Sequence, residues 1–213
     1  MDINSSERRV NWFMMGPRGK GDYRGPNIKE LRRQAESTSY DLLTGAYNKK
    51  GLKEQFENYL AILRRGEINL PLRIFYIDID GFKEVNDRLG HDRGDELLKE
   101  ITTGWKKNLR DEDILVRLHG DEFVVLAFAV QEEPIIGRLR EGFGLMLGNV
   151  KLPNNVKVDF SVGSAIAGEA LDENGNLTRL DIRQSDPEIL LTSVLKVADA
   201  RMYKDKESKK NGR

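Results

Sequence analysis

A chain of 213 residues, 38% hydrophobic and 33% charged, is long enough to bury one sizeable core with an appended segment, and its longest apolar run falls far short of a membrane span. Lys and Arg together number 35, as do Asp and Glu, so overall charge recruits neither nucleic acid nor an acidic membrane, and an anionic partner has to be bound by a local site. The absence of cysteine excludes a disulfide framework, a thiolate nucleophile and Cys-ligated zinc; with no secretory signal or membrane span in view, the expected compartment is the cytoplasm.

Residues 1–26 hold Gly16, Pro17, Gly19, Gly21, Gly25 and Pro26 among scattered charges, the composition of an arm rather than a packed element. Within it the apolar WFMM, Trp12 to Met15, is expected to clip loosely onto the domain's own surface, or else to contact another chain. Asn27 as an N-cap, with Ile28, Leu31, Arg32 and Ala35 at helical spacing, predicts a short leading helix. The expected division is an arm with leading helix over 1–38 and one folded domain over 39–213.

From Tyr40 onward strands and helices alternate. Leu52, Phe56, Tyr59, Leu60 and Leu63 share one face of a helix predicted over Asn48–Leu63. LRIFYIDID, Leu72 to Asp80, is a continuous apolar run that ends in acids, as a strand buried on both faces does. A helix over Glu96–Leu109 carries Leu97, Ile101, Trp105 and Leu109 on its stripe, and a hairpin over 113–128 follows, turning at His119–Gly120. Ile135–Leu147 reads as a helix, Val156–Ala167 as a strand pair or one long strand, and Gly168–Pro187 as a loop or short hairpin insertion. Pro187–Lys206 closes the chain as a helix. An α+β or α/β sandwich follows, with one sheet covered by helices.

Two pairs of acids stand out. Asp78 and Asp80 close the first buried strand on one face, and Asp121 and Glu122 open another beyond the hairpin corner. If the strands are neighbours, three or four carboxylates converge, and such charges repel unless a cation sits between them. Hard oxygen ligands of this kind suit Mg²⁺ or Mn²⁺; the alternative is that each acid merely ends its strand in solvent. Phe82, Lys83 and Asn86 follow the first pair, and GHDRGD, Gly90 to Asp95, leads into a helix. Lys83 can meet phosphate charge, while Asn86 and Asp95 can read a purine edge. Equally, Asn86 and Gly90 can be turn residues and Asp95 a helix cap.

These residues also carry a resemblance. DLLTGAYNKKGL (Asp41–Leu52), DIDGFKEVNDRLGHDRGDELL (Asp78–Leu98), RLHGDEF, SVGSA (Ser161–Ala165) and ADARMYKDKESKKN (Ala198–Asn211) resemble, in order, the motifs of the GGDEF domain of diguanylate cyclases. The resemblance implies an α+β fold with a central, mainly antiparallel sheet flanked by helices, as in nucleotidyl cyclase catalytic domains. It implies an enzyme that joins two GTP molecules into cyclic di-GMP with loss of pyrophosphate, working as a two-fold dimer because each domain holds one GTP. Asp78, the Ile79 carbonyl, Asp121 and Glu122 would hold the metal, Asp121 would also be the candidate base, and Lys83 would stabilise the phosphates. Asn86 and Asp95 would read guanine, His91, Phe82 and Gly120 would line the nucleotide site, and Lys206 and Lys210 would reach the triphosphate. Arg110 and Asp113, five residues before the corner, match the family's inhibitory site for the cyclic di-GMP product.

The chain departs from the family pattern at His119, where glycine, alanine or serine is usual, so that an imidazole at the corner would crowd the nucleotide and lower activity. Gly81 stands for histidine, Asp205 for a small residue, and the 168–187 segment is long. The other expected functions are a degenerate module that binds cyclic di-GMP or GTP and signals through the arm, and synthesis of another cyclic dinucleotide, against which the carboxylate of Asp95 argues.

Overall fold

The run Leu72–Asp80 forms strand β1, and its lack of polar alternation has a plain cause: it lies inside a sheet covered on both faces. The computed structural model describes residues 38–150, 152–153 and 156–211, so the expected arm, the Trp12–Met15 cluster and the leading helix lie outside the described residues. The four-stranded sheet runs β2 (Ile114–His119), β3 (Glu122–Phe128), β1, β4 (Asp159–Ile166), every neighbouring pair antiparallel. A separate hairpin, β5 (Glu169–Leu171) with β6 (Leu177–Arg179), accounts for the long segment before the last helix.

Helices cover both faces. Phe75, Ile77 and Ile79 enter a core with residues of α2 (Phe82–Leu89), α3 (His91–Asn108) and α4 (Glu133–Asn149). Leu72 and Ile74 enter a second core with residues of α1 (Lys49–Arg65) and α5 (Pro187–Asn211). Trp105 anchors the first: its indole N–H donates to the Leu139 carbonyl at 3.0 Å, and its ring meets Phe123 and Phe160 edge-on at 5.2 and 5.6 Å. α1 starts where the Asn48 side chain accepts the Gly51 N–H at 3.0 Å and stops at Gly66 in the left-handed conformation. Among the described residues no helix is long and apolar enough to cross a membrane.

β4 is an edge strand, and α5 closes that edge. At Gly163 the helix backbone comes so near that a Cβ there would lie 2.1 Å from Met202 N and 2.3 Å from Ala198 O. Arg201, Asp205 and Lys209, spaced four residues apart on α5, then serve alternate residues of β4: Arg201 donates to Ser164 O at 2.7 Å, Asp205 accepts from Val162 N at 3.1 Å, and Lys209 donates to Phe160 O. Four residues of helix rise about 6 Å and two of strand about 6.7 Å, so the periods match and the open backbone groups gain partners.

Several expectations shift. Phe82–Leu89 is a helix of its own, too short to show periodicity, and α3 begins at His91 rather than Glu96 after a break at Gly90 (φ 85°, ψ 160°), so Asp95 lies inside the helix instead of capping it. Val156–Val158 precede a single strand. α5 runs on to Asn211 after its apolar stripe ends at Met202, because the final turns are held by the polar ladder to β4. Gly81 sits at φ 83° with Lys157 O 2.3 Å from where a Cβ would stand, so the approach of the Lys157 backbone in this chain leaves room only for glycine where the resembled motif has histidine.

Gly163→Ala should push α5 off β4 and destabilise the protein by about 1–3 kcal/mol, the usual range for overpacking, measurable as a lower urea midpoint. A midpoint equal to the parent's would mean that the close approach is not what seats the helix.

Candidate functional site

Pairing of β1 with β3 sets Asp78 opposite Glu122, and the Ile79 N–H donates to the Asp121 carbonyl at 3.2 Å. The turn between β2 and β3 is Gly120–Asp121, with His119 paired to Glu122, so the expected His119–Gly120 corner is displaced by one residue. Its cause is a register shift in β2 between Arg117 and His119. Asp121 therefore belongs to the turn and Glu122 to the strand. The His119 imidazole is 73% exposed and points at Glu122, Nε2 to carboxylate 3.2 Å, instead of filling the turn. Tyr76, two residues before Asp78 on the same face, donates to Glu122 from the other side at 2.5 Å. Burial and that bond push the tyrosine's pKa far up.

The acids outnumber the cations that serve them. Lys206 of α5 meets Asp78 at 2.5 Å and lies 3.9 Å from Asp80. Burial works against its ammonium, yet the hydrogen bond to Asp78 and the neighbouring carboxylates hold its pKa above the usual lysine value. Asp80 is tied to Ser161 Oγ at 2.7 Å and to Lys209 at 3.7 Å. Asp121, half-buried, forms no salt bridge with another described side chain, and its carboxyl is pushed up by burial with Asp78 and Glu122 adding to the shift. Asp199 on α5 is pushed up likewise, by burial and the charges of Glu122 and Asp78.

Among the described residues no three His, Asp or Glu side chains form a ready-made cluster for a metal ion. The donor chemistry still fits a hard divalent cation: carboxylate oxygens at the ends of adjacent strands, with a residual negative field that Lys206 meets only in part.

On the other side of the β1 end, α2 and α3 bring further polar groups together. A Cβ at Gly94 would lie 1.9 Å from the Asn86 side-chain oxygen, so glycine lets the start of α3 close onto α2, with Asn86 against Gly94, the residue before Asp95. Lys83, His91 and Asp95 are exposed and Asn86 half-buried, and among the described residues the side chains of Lys83, Asn86 and Asp95 have no hydrogen-bond or ion-pair partner. Phe82 is buried in the core, which leaves its backbone for any ligand. Lys210 is exposed in the last turn of α5.

The opening loop is wired to the turn. Asp41 accepts from Thr44 N at 2.9 Å, Thr44 Oγ1 at 2.6 Å and Arg117 at 3.1 Å, and Arg117 Nε donates onward to the Gly120 carbonyl at 2.9 Å. Burial raises the Asp41 pKa, but the Thr44 and Arg117 contacts outweigh it and hold the carboxyl below its ordinary value.

Arg110 and Asp113 form a closed turn between α3 and β2: Arg110 N donates to the Asp113 carboxylate at 2.9 Å, and Asp113 N to Arg110 O at 3.0 Å. The Asp113 side chain is 2% exposed and 3.7 Å from Arg138 of α4, whereas the Arg110 side chain is 53% exposed. Burial raises the Asp113 pKa against the pull of the turn hydrogen bond and Arg138.

The sequence reading missed Tyr76, Arg117 and Arg138. Alternation along β1 puts Tyr76 on the Asp78 face, so period two could have found it. Nothing in the sequence pairs Arg117 with Asp41, 76 residues apart, or Arg138 with Asp113.

With this geometry in place, the comparisons with known proteins are specific. The family described as "Diguanylate cyclase, GGDEF domain" matches residues 38–212, and the chain belongs to that family. It is 44% identical over 129 residues to the cyclic di-GMP phosphodiesterase NbdA of Pseudomonas aeruginosa, covering 60% of this chain and 15% of that protein. It is 31% identical over 130 residues to the diguanylate cyclase DosC of Escherichia coli, covering 59% of this chain and 28% of that protein. The chain thus matches less than a third of either relative's length. Among solved structures, the GGDEF domain of YfiN from Pseudomonas aeruginosa superposes with a TM-score of 0.58 at 26% identity, covering 79% of this chain and 89% of that one.

The Asp41 network has a pH signature. Because its folded pKa is lowered, its stabilisation is present above the ordinary aspartate value near 4 and is lost as pH falls through the folded value. Asp41→Asn should cost about 1 kcal/mol at pH 7, with the gap to the parent closing below about pH 4. Urea titrations of both proteins at pH 7 and pH 3 check this; a gap that persists undiminished at pH 3 would mean that the charge of Asp41 is not what matters.

Proposed function

We propose that the chain is a diguanylate cyclase module that joins two GTP molecules into cyclic di-GMP and releases two pyrophosphates. The observation that carries the reading is the division of labour around the end of β1: Lys83, Asn86 and Asp95, whose side chains have no partner among the described residues, on one side, and under-neutralised Asp78, Asp121 and Glu122 with Lys206 on the other.

In this reading Asn86 and Asp95 orient the guanine, the Asp95 carboxylate accepting from its N1 and N2 donors. His91 and the backbone of Phe82 and Gly120 bound the nucleotide. Lys83 from one helix, and Lys206 and Lys210 from another, meet the triphosphate, so Lys206 exchanges its contact with Asp78 for phosphate oxygen when GTP binds. Asp78, the Ile79 carbonyl, Asp121 and Glu122 would hold Mg²⁺ or Mn²⁺, which when bound supplies Lewis-acid polarisation of the phosphates. The 3′-oxygen of one GTP attacks the α-phosphorus of the other, an O–P bond forms as the bond to pyrophosphate breaks, and Asp121 accepts the 3′-hydroxyl proton. Two such steps close the ring. Each module positions one GTP, so the acting form is a two-fold homodimer with its sites face to face. Tyr76 and His119 position Glu122, and a side chain aimed at Glu122 leaves the turn open for nucleotide. Product returns to the Arg110–Asp113 turn as an inhibitor.

A second reading has its own support. NbdA, a relative at 44% identity, is named a phosphodiesterase, so this kind of domain also occurs where the named activity is not synthesis, and the chain would then bind GTP or cyclic di-GMP without turnover.

Chromatography of nucleotides after incubation with GTP and Mg²⁺ decides between them. The parent should yield cyclic di-GMP, His119→Gly should change the rate by less than about tenfold, because an exposed ion pair contributes at most about 1 kcal/mol, and Asp121→Asn should abolish product. Product from His119→Gly alone would establish the binding module instead, and full turnover in Asp121→Asn would remove that residue from the mechanism.

A further inference from the structure

We propose that the cleft between the Tyr40–Tyr47 ring stack and Arg110 binds a purine base, with Tyr40 as its stacking surface, so that the product site extends to a second base of the cyclic dinucleotide. The inference rests on the product-site part of the proposed function.

Tyr40 is built to stay put. Its backbone bridges to Tyr47, Tyr47 bridges in turn to Val116 of β2, and Asn48 N donates to Ser39 O at 3.0 Å. The two rings stack with centroids 4.6 Å apart and planes at 26°, their hydroxyls 3.3 Å apart. Tyr47 thus covers one face of the Tyr40 ring, yet Tyr40 remains 49% exposed. An aromatic ring fixed in place by backbone and stacking, and left half open, is a platform ready for another flat ring at little entropic cost.

The surroundings select the kind of ring. Tyr40, Lys106, Arg110, Asp111 and Asp113 all line one cleft of about 280 Å³. Lys106 spans it to donate to the Gly45 carbonyl at 2.6 Å, with burial lowering its pKa. Arg110 stands at the mouth, its backbone fixed by Asp113 and its guanidinium largely exposed. Guanine presents N7 and O6 acceptors to such cations and N1 and N2 donors to a carboxylate such as Asp111, and its π-face suits tyrosine. A cyclic dinucleotide carries two bases and two phosphates, more than the Arg110–Asp113 turn alone can engage. Tyr40 supplies the place for the second base.

Calorimetric titration of the full chain with cyclic di-GMP tests this. Tyr40→Ala should weaken binding by about 5- to 150-fold, the range for loss of one base–aromatic stack, and Tyr40→Leu should do the same while keeping an apolar side chain against Tyr47. Tyr40→Phe should bind within about twofold of the parent, and Arg110→Ala should bind far more weakly. Parent-like affinity in both Tyr40→Ala and Tyr40→Leu, with loss in Arg110→Ala, would overturn the extension and leave the product site standing. No binding by the parent would remove the product site and the extension together.

Discussion

The seating of α5 on β4 is the constraint on which the rest depends. A helix can touch a strand at backbone distance only where the strand has no side chain, and Gly163 is that place. Once there, the helix presents Arg201, Asp205 and Lys209 to the open backbone groups of β4 in matched periods, and so does the work of a fifth strand without adding one. The same seating delivers Lys206 to Asp78. Asp205, a departure from the family's motif, is therefore one rung of the ladder that aims Lys206.

Around the β1–β3 end the local physics runs against stability. Carboxylates sit on neighbouring strands, the carboxyls of Asp121 and Asp199 are both pushed up by burial and by the charges of Asp78 and Glu122, and Lys206 meets Asp78. Such a field is costly in an isolated domain and useful where a cation and a polyphosphate have to be bound together. Beside it, Tyr76 and His119 hold Glu122 from two sides.

The signature turn is also not independent of the chain that precedes it. Asp41, Arg117 and the Gly120 carbonyl form a continuous polar connection from the opening loop to the turn that carries Asp121. Tyr40 lies next to Asp41, at the lip of the cleft that Arg110 guards. A ligand held there and a displacement of the opening loop would act on the same few groups, through a path of named hydrogen bonds.

By itself, the sequence determined the strands and long helices, because apolar periods of 2 and 3.6 are local properties: β1, the apolar run of β3 and the Trp105 stripe lie where the pattern puts them. It determined the family too, because the motifs around Asp78, Asp121 and Lys206 are contiguous runs. It left the meeting of Asp78 and Glu122 conditional on the strands being neighbours, and antiparallel pairing of β1 with β3 makes them a cross-strand pair. Tertiary structure alone decided the eight-residue α2, too short to show a period, and the one-residue shift that moves Asp121 into the turn, since a bulge depends on the partner strand. It alone decided which way His119 points and which distant residues serve the site, Arg117 for Asp41 and Arg138 for Asp113. Those contacts join residues tens of positions apart, and their energy lies in geometry that no local pattern encodes.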